Sequence, residues 1–180
     1  MTTRRVAGTV IALAWAGLGP HMVAAADAQT PSDGGPLQTA EGVVTELYEL
    51  VTFEAGSTPD WDKVRSLFID EAVIVLRTTR TATTVFSVET FVNDFVTFIE
   101  DAKVKETGFT ERILRTNATV FGDMAHVWVL YEASVPGSPR PPQQGVDSFS
   151  LIKQDGRWWI AAITNEIPTP SRPVPPPLQE

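Results

Sequence analysis

The amino-acid sequence predicts an α+β domain in which three N-terminal helices pack on one face of a curved, mainly antiparallel sheet. Two observations carry that prediction. Apolar residues recur at helical spacing up to about residue 99, and from Phe109 onward the repeat shortens to two. Gly122-Asp123 and Asp155-Gly156 then divide the second half into segments that run back on one another, the Asp-Gly pair being a type I′ hairpin signal.

Each element has its own signature. Val43, Val44, Leu47, Leu50 and Val51 share one face of a first helix, with Glu41, Glu46 and Glu49 between them and Gly56 ending it. Thr58 is placed to cap a short second helix, Pro59 suits its first position, and Asp60 and Asp62 suit its positive end. Trp61, Val64, Leu67 and Phe68 form the apolar face of that helix, and Asp70-Glu71 breaks it. The apolar run 72–76 has strand length, with 83–86 as a short companion. Ser87 caps a third helix whose wide apolar face runs from Val88 through Phe91 and Phe95 to Ile99. Segments 109–120, 124–135, 146–153 and 158–165 complete the sheet, with a proline-rich loop over 136–144.

The two ends read differently. Arg4 and Arg5 precede an uncharged apolar stretch over 6–18, and Ala24-Ala25-Ala26 supplies small residues for a signal peptidase, so residues 1–26 are expected to be a bacterial signal peptide. The apolar stretch falls short of the ~20 residues that cross a bilayer. The expectation is a secreted or periplasmic protein with no stable membrane span after cleavage. Residues 27–36 read as a flexible leader, 37–167 as the folded domain and 168–180 as a proline-rich tail. There Pro175-Pro176-Pro177 favours an extended, donor-free chain.

Composition excludes several functions. With 180 residues the chain holds one full-size domain. It has no cysteine and one histidine beyond residue 26, which removes disulfides, thiolate chemistry and a transition-metal site; no cofactor is expected. The net charge of −8 repels phosphate backbones, so nucleic acid is not an expected partner. No Gly-x-Ser-x-Gly elbow, glycine-rich phosphate loop or His-Glu-x-x-His pair occurs.

Three segments carry a family resemblance. Trp61 to Phe68 (WDKVRSLF), Phe121 to Val127 (FGDMAHV) and Phe149 to Ile160 (FSLIKQDGRWWI) are similar to the second helix, a hairpin and the last two strands of the nuclear-transport-factor-2-like (SnoaL-like) superfamily. The resemblance spans about residues 40–166. It implies a cone, in which the bent sheet wraps the helices and leaves a pocket at the wide end. It also implies a functional range, since that superfamily holds isomerases, cyclases, epoxide hydrolases, dehydratases, binding proteins and subunits without chemistry, so fold alone names no activity.

Chemistry in such a pocket needs a titratable group and a partner for developing charge. His126 is the first candidate base. Alternation places it with Trp128 and Leu130 on one side of its strand, and Val127, Val129 and Tyr131 on the other. Asp70 sits where the second helix meets a strand, a place where the resemblance implies a carboxylate base. Tyr48 could donate to an oxyanion. Asp147 and Asn165 lie on neighbouring strands, and Glu111 and Arg115 share a face of one strand, where they could orient a substrate or pair across strands. Trp61, Phe86, Phe95 and Trp128 are the expected aromatic lining. A ketosteroid-isomerase-like set finds Tyr48 and Asp70 but no third partner. A limonene-epoxide-hydrolase-like relay finds only Asp147 and Arg115.

These residues favour an exported protein that binds a small apolar molecule in the pocket. The alternatives are a cofactor-free isomerase, dehydratase or hydrolase with His126 or Asp70 as general base, and a non-catalytic dimerising adaptor. Trp159, opposite in phase to Trp158, points to a homodimer through the sheet face.

Overall fold

A computed structural model of the chain describes residues 35–77 and 81–179. The elements in order are α1 (Ala40–Val51), β1 (Phe53–Glu54), α2 (Trp61–Arg65), β2 (Phe68–Arg77), β3 (Thr83–Phe86), α3 (Val88–Asp101), β4 (Gly108–Phe121), β5 (Met124–Ser134), β6 (Gln143–Gln154) and β7 (Arg157–Glu166). Short 3-10 turns lie at Pro36–Gln38, Val104–Glu106 and Pro176–Leu178. The expected signal peptide and most of the leader lie outside the described residues.

The α+β class holds, and the sheet is mainly antiparallel as expected. The helices are interleaved with β1, β2 and β3 and do not form an uninterrupted N-terminal block. The sheet is mixed: its order is β1-β4-β5-β6-β7-β2-β3, and β2 runs parallel to β7 while every other neighbouring pair is antiparallel. The parallel pair is possible because β3, α3 and β4 to β6 all lie between its two strands in the chain, the long connection that parallel strands need.

Local chemistry explains the boundaries. Thr39 caps α1 by accepting from the Gly42 amide at 3.0 Å. Asp60, not Thr58, caps α2, accepting from the Lys63 amide at 3.1 Å. The second helix ends at Arg65, and Phe68 begins a strand, the Ile160 amide of β7 donating to the Leu67 carbonyl at 2.9 Å. Ser87 and Thr90 form a reciprocal capping box at the start of α3, each side chain accepting from the other's backbone amide. Asp155 and Gly156 both have positive φ, as the type I′ turn between β6 and β7 requires.

The core lies between the helices and the concave side of the sheet. Val43 and Val44 of α1, Val64 of α2 and Val92 of α3 meet Val127, Val129, Phe149 and Ile160 of the sheet, all essentially without exposure. Each such side chain contributes about 1.5–3 kcal/mol on burial, so this layer dominates the stability of the fold. The proline-rich tail joins the fold: its last 3-10 turn rests against β4 and β5 and buries Leu178 completely.

Candidate active site

Three irregularities in the sheet decide which side chains face inward. Between Ile113 and Arg115 of β4 the pairing with β5 shifts by one, making Leu114 an extra residue. Glu111 therefore points inward with Ile113, while Arg115, two positions past Ile113, falls in the outward row with Leu130; the two do not share a face. A second shift, between Ser150 and Leu151 of β6, leaves Ala161 of β7 without a partner. Beyond it Asn165 pairs with Asp147, which in turn pairs with Val129 of β5. Asp147 alternates with buried Phe149 and Leu151, so it belongs to the inward row.

The inward polar residues converge on a cavity of about 420 Å³ between α1, α3 and the sheet. Tyr48 of α1 donates its hydroxyl to Asp147 Oδ2 at 2.6 Å, and Asn165 Nδ2 donates to Asp147 Oδ1 at 2.7 Å. The same Asn165 nitrogen reaches the Tyr131 hydroxyl at 3.1 Å. The two tyrosine rings lie 5.7 Å apart, tilted by 50°. Gly145, opposite Tyr131 on β6, makes this possible: a Cβ there would stand 2.3 Å from the Tyr131 ring. Thr52, just past α1, both donates to the Glu111 carbonyl at 3.0 Å and accepts from its amide at 2.9 Å. This clamp fixes the backbone beneath the Glu111 carboxyl.

Electrostatics separates the two acids. Both are half-buried, touching the cavity on one side and enclosed by protein on the others. Burial raises Asp147 to about 6, opposed by the hydrogen bonds from Tyr48 and Asn165 that favour its ionised form. Glu111 receives no side-chain hydrogen bond from the described residues, and burial followed by the Asp147 charge pushes it to about 8. Burial and the same charge raise both Tyr48 and Tyr131, keeping them protonated donors. Around neutral pH the acid pair carries one proton and one negative charge. Arg77 and Asp94 also reach the wall, and most of the remainder is apolar, with Phe91, Phe95, Phe98 and Phe109 side by side.

Of the residues singled out from sequence, Tyr48, Phe95, Glu111, Asp147 and Asn165 line this cavity. Arg115, His126, Trp128, Asp70, Trp61 and Phe86 do not. His126 and Trp128 occupy the outward phase of β5, because Val127 and Val129 take the core; they bond to each other and His126 Nε2 also lies 3.2 Å from Ser148 Oγ. Asp70 is exposed: between Phe68 and Val73 the β2 strand carries four residues against one of β7, and this bulge throws Asp70 and Glu71 outward. Trp61 is half-buried behind the cavity, its ring 5.4 Å from Phe95. Phe86 is buried in the core. Glu111 and Tyr131 lie in the site without having been named as its central groups. Among the described residues no group of three or more histidine, cysteine, aspartate or glutamate side chains is arranged to hold a metal ion.

A bent mixed sheet folded over helices, with an acid pair inside an aromatic cavity, defines a class of small α+β cone domains. The chain has the nuclear-transport-factor-2-like, cystatin-like fold. It is similar to an NTF2-like protein with a cystatin-like fold from Novosphingobium aromaticivorans, with a TM-score of 0.57 at 12% identity, covering 72% of this chain and 81% of that one. A protein provisionally assigned as a scytalone dehydratase from the same organism gives 0.55 at 11% identity, with the same coverage. An NTF2-like protein of unknown function from Pseudomonas putida gives 0.57 at 10% identity, covering 78% of this chain and 92% of that one. No family model matches the chain, and no curated protein does.

Proposed function

We propose that the cavity is the active site of a cofactor-independent acid–base enzyme, of the dehydratase or isomerase type, acting on a small and largely apolar molecule. The observation that carries this reading is the acid pair itself: Asp147 and Glu111 line one cavity with ionisation at about 6 and about 8. A cavity built only to hold hydrocarbon would have no use for two carboxyls, whose burial costs stability. Asp147, oriented by Tyr48 and Asn165, is the general base and not His126 or Asp70. Glu111, protonated at neutral pH, is the general acid.

In a dehydration, Asp147 takes the proton from the carbon beside a substrate carbonyl, and Tyr131 donates to the enolate oxygen. Glu111 protonates the departing hydroxyl, which leaves as water as the carbon–carbon double bond forms. Proton exchange between the two carboxyls then restores the pair. In an isomerisation the same proton returns to a different carbon. The fold neighbour assigned to dehydration supports this reaction type. Export rests on Arg4, Arg5 and the apolar stretch over 6–18. A homodimer through the sheet face would share that face with the tail around Leu178.

The test is turnover. Bicyclic ketones and β-hydroxy ketones are incubated with the full chain in deuterated buffer and followed by NMR for exchange beside the carbonyl and for elimination. Asp147→Asn is expected to lose about 100-fold of the rate, a general-base contribution, while the outward His126→Ala keeps it. A panel that reacts no faster than in buffer, or an Asp147→Asn variant with full activity, rejects the reading.

A further inference from the structure

The charge inventory of the cavity has an imbalance. Seven elements line the cavity. Tyr48 of α1, Tyr131 of β5 and Asn165 of β7 are neutral; Asp94 of α3 adds a third acid; Asp147 and Glu111 complete the inventory on β6 and β4. Arg77 of β2 also lines the wall: it pairs with Glu166, which also accepts from Arg172 at 2.9 Å, and its Nε is buried with no hydrogen-bond partner among the described residues. Among the described residues no lysine or arginine contributes to the ionisation of Asp147 or Glu111. Buried acids normally have a paired cation. Among the described residues that place is open.

The cavity wall opposite the acids suits a cation as well. Phe95 lies 5.5–6.1 Å from Phe91, Phe98 and Phe109, giving several ring edges and faces to one small volume. An ammonium group is attracted to aromatic faces and to carboxylates together, and more so when both are shielded from water. A carboxylate or phosphate substrate would meet the Asp147 charge there. The net charge of −8 also raises the local concentration of cations around the protein.

We infer that this cavity selects molecules carrying a basic nitrogen on an aromatic or apolar body, the ammonium pairing with Asp147, the ionised member of the acid pair. The inference rests on the active-site reading and narrows its substrate class. Titration calorimetry of the full chain with three indoles of one skeleton tests it: tryptamine (cationic), tryptophol (neutral) and indole-3-acetate (anionic).

At pH about 7.5, tryptamine is expected to bind about tenfold tighter than tryptophol, with indole-3-acetate weakest. Below about 6 the tryptamine advantage shrinks as Asp147 takes up a proton. Asp147→Asn abolishes it and Glu111→Gln reduces it, two variants guarding against one that fails to fold. Tryptophol or indole-3-acetate binding as tightly as tryptamine overturns the inference, as does failure of all three to bind. An advantage that survives both substitutions also overturns it, assigning the binding to the acidic surface. Turnover of neutral ketones with no tryptamine preference rejects the amine alone and leaves the active-site reading standing; loss of that turnover in the deuterium experiment rejects the reading itself.

Discussion

Glu111→Gln should make the protein more stable at alkaline pH while removing a group from its own active site. In the fold Glu111 ionises at about 8 against an ordinary value of 4.5, because burial and the Asp147 charge both oppose its anion. A raised value means the folded state prefers the protonated acid. Its favourable contribution is therefore complete below 4.5 and is lost as the pH climbs through about 8. Taken whole, that difference corresponds to about 5 kcal/mol at 1.36 kcal/mol per tenfold. Halved for the solvent that reaches the carboxyl from the cavity, it is about 2 kcal/mol. Glutamine has the shape of the protonated acid and no charge to lose, so the variant should match wild type at pH about 4.5 and exceed it by about 2 kcal/mol at pH about 9. For a domain of this size that is about 5–8 °C in Tm. Calorimetric melting of both proteins at the two pH values measures it. Equal pH slopes for the two proteins, or a variant less stable than wild type at pH 9, would refute the assignment of Glu111 as a buried, unpartnered acid.

Three further outcomes follow from the same geometry. Tyr48→Phe removes a hydrogen bond that favours ionised Asp147, so the lower limb of the pH–rate profile should move upward, at a stability cost of about 1–2 kcal/mol seen in urea denaturation. Gly145→Ala sets a methyl 2.3 Å from the Tyr131 ring, forcing the ring aside and breaking its contact with Asn165; about 1–3 kcal/mol of stability should go with it, and Tyr131→Phe added to that variant should change little further. Leu178→Ala empties a fully buried site under the tail and should cost about 2–3 kcal/mol, with amide exchange rising first over 168–179.

Much of the architecture is legible in the order of residues because each element carries its own period and stop. The Ser87 cap, the Asp155-Gly156 turn and the apolar faces of α1 and α3 depend on neighbours within a few positions, and the structure keeps all of them. The start of β2 was not legible. Phe68 serves an amphipathic helix and a buried strand equally well, and only its pairing with Ile160 of β7, 92 positions on, takes it into the sheet. Strand β1 is two residues long and exists because Thr52 and Phe53 have a partner in β4, a contact between positions far apart in the chain.

The site was legible only where the alternation of strands runs unbroken. Asp147 sits in phase with Phe149 and Leu151, so its inward direction follows from the row it shares. Asn165 does not follow in that way. Counting back from the Asp155-Gly156 turn in steps of two puts it in the outward row with Trp159 and sets Thr164 opposite Asp147. The unpartnered Ala161 corrects the count, returning Asn165 to the inward row and its amide to Asp147 at 2.7 Å. The same arithmetic turns Arg115 away from Glu111 at Leu114, and Asp70 away from the cavity at the bulge in β2. Bulges of one residue invert every side chain beyond them. In this fold they bend the sheet, and they also keep a cation off the Glu111 face, leave the acid pair uncompensated and bring an amide to hold its ionised member. The cavity electrostatics and the curvature of the sheet thus share an origin, and deleting Ala161 should separate them: β7 straightens while Ala162 to Asn165 keep their partners and Asn165 stays opposite Asp147.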